Sequence, residues 1–327
     1  MFTPHTFDIA LLMMIVSPIC WGSWANTYKG VKNYRFELFY WDYAVGIFLT
    51  ALVLALTMGS SGHDATSFAA NVSSADTSNI TYALVAGAIF NIANLLLVAG
   101  IDMAGLAVAF PVSIGIALVV GVVLSYAQQA KGNMALLALG VACAMVAVVL
   151  DGKAYGHLAS TGRTVSRKSI IVCIVSGVLM GLWAPAAAHA MTSGRVLGPY
   201  SFAVFLTLGA LLSCFIFNIY FMKKPLVGAP VNFSGFFSAP ASGHLLGVFG
   251  GVIWSIGTVF NLVAANYTGV AISYAIGQSA PMVAALWGVF VWKEFAGANS
   301  KAKTYVSLMF LFYILAILFV AWASQAG

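Results

Sequence analysis

Ten apolar stretches of about 20 residues follow one another along this 327-residue chain. At a rise of about 1.5 Å per residue, each is long enough to cross roughly 30 Å of hydrocarbon as a helix. In lipid every backbone N–H and C=O needs an internal partner, so single runs of this length are helical. Only 7% of the residues are charged, which leaves almost nothing for a soluble domain. The fold class is an all-α membrane protein with ten transmembrane helices. The spans are expected at 7–28, 36–58, 79–101, 104–128 and 132–151, then at 169–191, 199–222, 241–264, 267–292 and 303–325. The first is a retained helix rather than a cleavable leader, because no Lys or Arg precedes it and Asp8 sits at its start.

The two halves repeat. Trp21-Gly22-Ser23-Trp24-Ala25 matches Met180-Gly181-Leu182-Trp183-Ala184 at an offset of 159, which also pairs Tyr43-Ala44-Val45 with Phe202-Ala203-Val204. An offset of 164 pairs Gly105-Leu106-Ala107-Val108-Ala109-Phe110 with Gly269-Val270-Ala271-Ile272-Ser273-Tyr274. Five spans is an odd number, so the second copy enters the membrane from the opposite side. The expected organisation is two inverted five-helix repeats, 1–151 and 169–327, joined by a basic cytoplasmic linker at 152–168. Inverted repeats of this kind support alternating access.

Basic residues orient the chain. Lys29, Lys32, Arg35, Lys153, Arg163, Arg167, Lys168, Lys223, Lys224, Lys293, Lys301 and Lys303 fall on one side, and only Lys131 and Arg195 on the other. The positive-inside rule then puts both termini and the loop at 59–78 outside, which in a bacterial inner membrane is the periplasm.

Function has to be read from the polar groups left inside the spans, since such groups line cavities or helix contacts. Asn91 and Asn94 share one face of the third span, and the offset of 164 puts Ser255 and Thr258 on the equivalent face of the eighth, with Asn261 one turn further. Gln278 lies in the ninth span near Pro281. These groups both donate and accept hydrogen bonds and suit a neutral polar solute, though interhelical bonding is an equal use for any one of them. Trp24, Trp183 and Trp254 lie deep rather than in the headgroup belt, where Trp41, Trp292 and Trp322 are expected. A deep indole packs in the core or stacks on a sugar or heterocycle. Pro18, Pro111, Pro185 and Pro281 supply helix interruptions in the first, fourth, sixth and ninth spans.

Asp42 is the one carboxylate expected clearly inside a span, either as a proton carrier or as an interfacial partner of Lys29, Lys32 or Arg35. Glu37 is expected to be solvated, and His189 to lie near an outer helix end. The four cysteines lack CxxC spacing and read as buried, inert thiols. Neither HExxH, GxSxG nor a paired-aspartate constellation lies in the spans, so a membrane-embedded enzyme is disfavoured, with no catalytic residue, metal or cofactor called. An exporter of drugs or amino-acid-like metabolites would use the same scaffold, but a cationic drug would call for an acidic residue at mid-membrane.

Pro18-x-x-Trp21-Gly22-Ser23 in a ten-helix, two-half chain resembles the drug/metabolite transporter superfamily, and its Trp-Gly-Ser element the bacterial glucose and ribose uptake permeases. Tyr40-Trp41-Asp42-Tyr43, Ala55-Leu56-Thr57-Met58-Gly59, Asn91-Ile92-Ala93-Asn94 and the Gly105-Leu106-Ala107-Val108 run resemble the ureide permeases. The resemblance implies proton-driven uptake of a sugar in one family, or of allantoin and nucleobases in the other. The short central loop departs from the plant ureide permeases. The expected partners are a small-molecule substrate, the lipid bilayer and protons, with no nucleic acid. The oligomeric state is left open. The substrate would sit between the first, third, fourth, sixth, eighth and ninth spans.

Overall fold

The computed structural model describes residues 1–32, 34–61, 66–158 and 166–326. Among the described residues, ten helices are long and apolar enough to cross a membrane. They are Phe7–Lys29, Phe36–Leu56, Thr77–Ala104, a fourth running Leu106–Gln128, then Met134–Leu158, Arg167–Ala190, Pro199–Lys223, Ala241–Thr268, Val270–Val291 and Ser300–Gln325. The expected count holds.

The expected linker starts too early. The fifth span continues to Leu158, so residues 152–158 are helical. The remainder up to 165, with Arg163, lies outside the described residues, as does Gly327. That extension buries Asp151 well inside a helix, which overturns the expectation that Asp42 is the only carboxylate within a span.

Several spans are broken. The first is interrupted at Trp24, between Phe7–Ser23 and Ala25–Lys29. The sixth breaks at Leu182, three residues before Pro185. The ninth breaks at Gln278 and Ser279, with Pro281 in the first turn that follows, and ends in a π-helical turn at Trp287–Val291. Pro lacks an amide hydrogen and crowds the preceding turn, so restarting the helix next to it resolves the conflict. Pro18 and Pro111 stay inside continuous helix.

The offset of 164 seen in the sequence reappears in the helices themselves. Thr77–Ala104 and Ala241–Thr268 begin and end 164 positions apart, and each is closed by a glycine at positive φ, Gly105 (79°) and Gly269 (91°). That backbone region is open to glycine and strained for residues with a β-carbon, which explains the pair. The third span packs on the seventh and the eighth on the second. The first packs on the eighth and ninth, and the sixth on the third and fourth. The fifth and tenth pair with each other. Small residues permit the close approaches: a β-carbon at Gly87 or Gly209 would collide with backbone across the third–seventh contact, and one at Gly46 or Gly251 across the second–eighth.

Candidate functional site

Trp21 sits at the centre of an aromatic cluster built from both halves. Its ring stacks on Trp254 at a centroid distance of 6.3 Å and meets Trp183 edge-on at 5.9 Å. Its Nε1 donates to Thr258 Oγ1 at 3.0 Å. Trp254 continues the cluster to Phe90 at 4.6 Å and Tyr43 at 6.4 Å, while Trp183 reaches Tyr274 at 5.3 Å. Trp24, just past the last residue of the first helical segment, packs on Tyr43 at 4.7 Å. The structure thus gathers Trp24, Trp183, Trp254 and Thr258, and joins them through Trp21 and Tyr43, which sequence reasoning did not single out as site residues. One signal was available: Trp21 is one helical turn before Trp24. Tyr43 and Tyr274 stood in the repeat motifs without being read as site residues, and Phe90 gave no signal, being an apolar position in an apolar span.

The remaining polar candidates divide. Ser255 Oγ donates to the Ile47 carbonyl at 2.9 Å, a tie between the eighth and second spans. Asn91 Nδ2 donates to Ser213 Oγ at 2.8 Å, tying the third to the seventh. Its Oδ1 is buried and has no partner among the described residues, and neither does the Tyr43 hydroxyl. Asn94, also buried, neighbours the Tyr40 hydroxyl. Gln278 lies in the break of the ninth span and is 8% exposed. Asn261 is occupied: its Nδ2 donates to the Ser273 carbonyl at 2.8 Å and to Ser17 Oγ at 3.2 Å, fastening the broken ninth span to the eighth and first.

Asp42 does not pair with Lys29, Lys32 or Arg35. Its Oδ2 accepts from the Tyr34 hydroxyl at 2.7 Å, and His244 Nδ1 of the eighth span lies 2.9 Å away. Phe236 covers the His244 ring at 4.7 Å, and a β-carbon on Gly247 would strike the Asp42 side chain. The reason is directional. Asp42 faces the eighth span, whereas Arg35, at the helix entrance, turns to Glu37 and to the carbonyls of Val227 and Ala229. Glu37 is therefore ion-paired rather than solvated. Tyr34, outside the spans, has its hydroxyl proton held well above the usual phenol range by burial and by Asp42.

A cavity of about 100 Å³ opens at the same end, lined by Tyr28, Arg35, Glu37, Val98, Asp102 and Phe221 among others. Nearby, Lys29 pairs with Glu294 at 2.5 Å, Trp292 Nε1 donates to Asn26 at 2.6 Å, and Trp287 Nε1 donates to Ser23 at 2.8 Å. These bonds tie the C-terminal ends of the first and ninth spans together. At the opposite end Arg195 Nε reaches Asp76 at 2.8 Å, and Asn79 donates to the carbonyls of Ser193 and Arg195. Hydrogen bonds from the Arg195 backbone and side chain hold the exposed Asp76 carboxyl below its ordinary range.

Trp41 is buried against Phe215 and Phe233 instead of lying in the headgroup belt, because the loop helix Phe233–Phe237 covers it. Trp292 and Trp322 are exposed. The four cysteines are free, three of them buried and Cys20 partly so. His189, in the last turn of the sixth span, packs on Tyr82 at 4.6 Å.

The family model described as ureide permease matches residues 39–168. That segment contains Asp42, Asn91, Asn94 and Gly105. Ureide permease 1 of Arabidopsis thaliana is 22% identical over 339 residues, covering 85% of this chain and 87% of the relative. Ureide permease 2 of the same plant is 21% identical over 356 residues, covering 88% and 89%. A solved structure titled only as the crystal structure of a protein matches with a TM-score of 0.58 at 16% identity, over 94% of this chain and 98% of that one, and bears on the fold alone. The resemblance to the ureide permeases is borne out. The chain is a multi-pass membrane protein whose relatives are transporters rather than enzymes.

Proposed function

We propose that this chain is a secondary active transporter that takes up a small, neutral, planar solute of the ureide or nucleobase type by alternating access. The observation that carries the reading is the Trp21 cluster, which holds the ring of Tyr43 with its buried hydroxyl unpartnered among the described residues. Buried polar groups are nearly always satisfied, so an orphaned hydroxyl beside stacked indoles suits a ligand that offers both a flat face and urea-type N–H and C=O groups. Asn94 and Gln278 complete the polar side of this site.

Alternating access requires two related states. Support comes from the exchange of paired contacts between the halves, from Gly105 and Gly269, and from breaks in the first, sixth and ninth spans. On this reading the halves are inverted repeats, and the ties of Arg195 to Asp76 and of Lys29 to Glu294 act at the outer and inner ends. The inner end is the basic one, and the membrane is a bacterial inner membrane. Asp42, held by Tyr34 and His244, carries the coupling proton. It lies where the second and eighth spans meet, so a change in its protonation acts on the contact between the halves.

A thermal-shift and uptake comparison of allantoin, uracil and glucose on purified, reconstituted protein tests the proposal. Stabilisation and uptake with allantoin or uracil, absent with glucose, are the expected result. A response to glucose alone would move the substrate class to sugars.

A further inference from the structure

We infer that a pocket between the inner ends of the ninth and tenth spans binds the phosphate headgroup of an anionic phospholipid. The pocket has a volume of about 330 Å³ and is walled by Val289, Phe295 and Val306, with Lys293, Lys303 and Ser307 at its polar side. Lys303 and Ser307 are four residues apart and share a face of the tenth span.

Three features select an anion. Lys293 and Lys303 have no ion-pair partner among the described residues, and the acid beside Lys293, Glu294, is taken by Lys29 and Tyr155. The tenth span begins at Ser300, so the positive end of its helix dipole adds to the charge of Lys301 and Lys303. Lys293 is the only non-glycine residue at positive φ (51°) among the described residues, and two turn bonds, Glu294 N–H to the Gly288 carbonyl and Ala296 N–H to the Lys293 carbonyl, hold it there. Strained backbone of this kind persists where the surroundings over-determine it, often at binding sites.

The apolar walls choose a lipid over a free anion. Phe290 and Val291, just before the pocket, are strongly exposed on the membrane-crossing part of the chain, and Trp292 marks the headgroup level. An acyl chain can lie along them while its phosphate meets the two lysines. Basic pockets at the cytoplasmic ends of transmembrane helices recognise lipid headgroups in this way.

Native mass spectrometry of the full-length protein tests this, with dioleoyl phosphatidylglycerol against dioleoyl phosphatidylcholine. The wild type should retain phosphatidylglycerol preferentially, and K293Q/K303Q should lose that preference by about tenfold or more, at roughly one surface charge interaction per lysine. Lys303→Arg should keep it. Millimolar inorganic phosphate should not displace the lipid. Equal retention of the two lipids by the wild type, unchanged preference in K293Q/K303Q, or displacement by inorganic phosphate alone would overturn the inference. If the double variant does not fold, the wild-type lipid comparison and Lys303→Gln decide.

Discussion

Trp21 of the first half stacks on Trp254 of the second, ring centroids 6.3 Å apart and planes 20° from parallel, and its N–H closes on Thr258 one turn further along the same helix. The two halves therefore meet through an aromatic face and a directional bond at one point. Trp21→Phe keeps most of the volume and removes the N–H. A lost internal hydrogen bond is worth about 0.5–1.5 kcal/mol of stability, so Tm should fall, and with the ring no longer anchored to Thr258 allantoin binding should weaken. An unchanged Kd by isothermal titration would make Trp21 a packing residue only.

Asn94 and Ser255 should behave oppositely. Leaving site groups unpaired costs about 1–3 kcal/mol, so Asn94→Ala should weaken uptake about five- to hundredfold with the folded yield intact. Ser255→Ala removes the tie to the Ile47 carbonyl and should lower Tm while leaving Kd alone. Measuring both Tm and Kd for the two variants separates ligand contact from interhelical bonding. Matching effects would refute the division.

Asp42→Asn should abolish accumulation driven by a pH gradient while sparing counterflow exchange in proteoliposomes. His244→Gln, which removes the charged form of its partner, should reduce accumulation in the same assay. Concentrative uptake by Asp42→Asn would leave Asp42 as an anchor between the second and eighth spans.

The tie between Asp76 and Arg195 has a defined pH dependence. The Asp76 carboxyl is held below its ordinary range by Arg195, so its contribution is complete above the unfolded carboxylate pKa of about 4 and is lost as pH falls through the lowered folded value. The Tm difference between wild type and Asp76→Asn should stay small and flat from pH 5 to 8, and shrink only in stronger acid. Tm series on both proteins across pH 3–8 check this, and a difference that vanishes between pH 6 and 7 would contradict it.

A reporter active only in the periplasm, fused after the last residue, should be active if the basic residues orient the chain as proposed. Activity restricted to a cytoplasmic reporter would reverse the orientation.

Hydrophobic length is a local property, so the ten spans, the basic end and the 164-residue correspondence between the third and eighth helices were legible in the amino-acid order. The partners of the polar groups were not. Asp42 and His244 are 202 residues apart, and Trp21 and Thr258 are 237 apart. In a soluble helix, apolar periodicity marks the buried face. Here lipid is as apolar as the interior, and Leu12 and Val53 face outward while Met14 and Ile47 are buried in the same helices. Without that contrast, one strand of sequence cannot say which face of a span meets another helix. The burial of Asp151, the capture of Asp42 by the eighth span and the centring of the aromatic cluster on Trp21 were decided by tertiary packing, where small residues let particular faces approach.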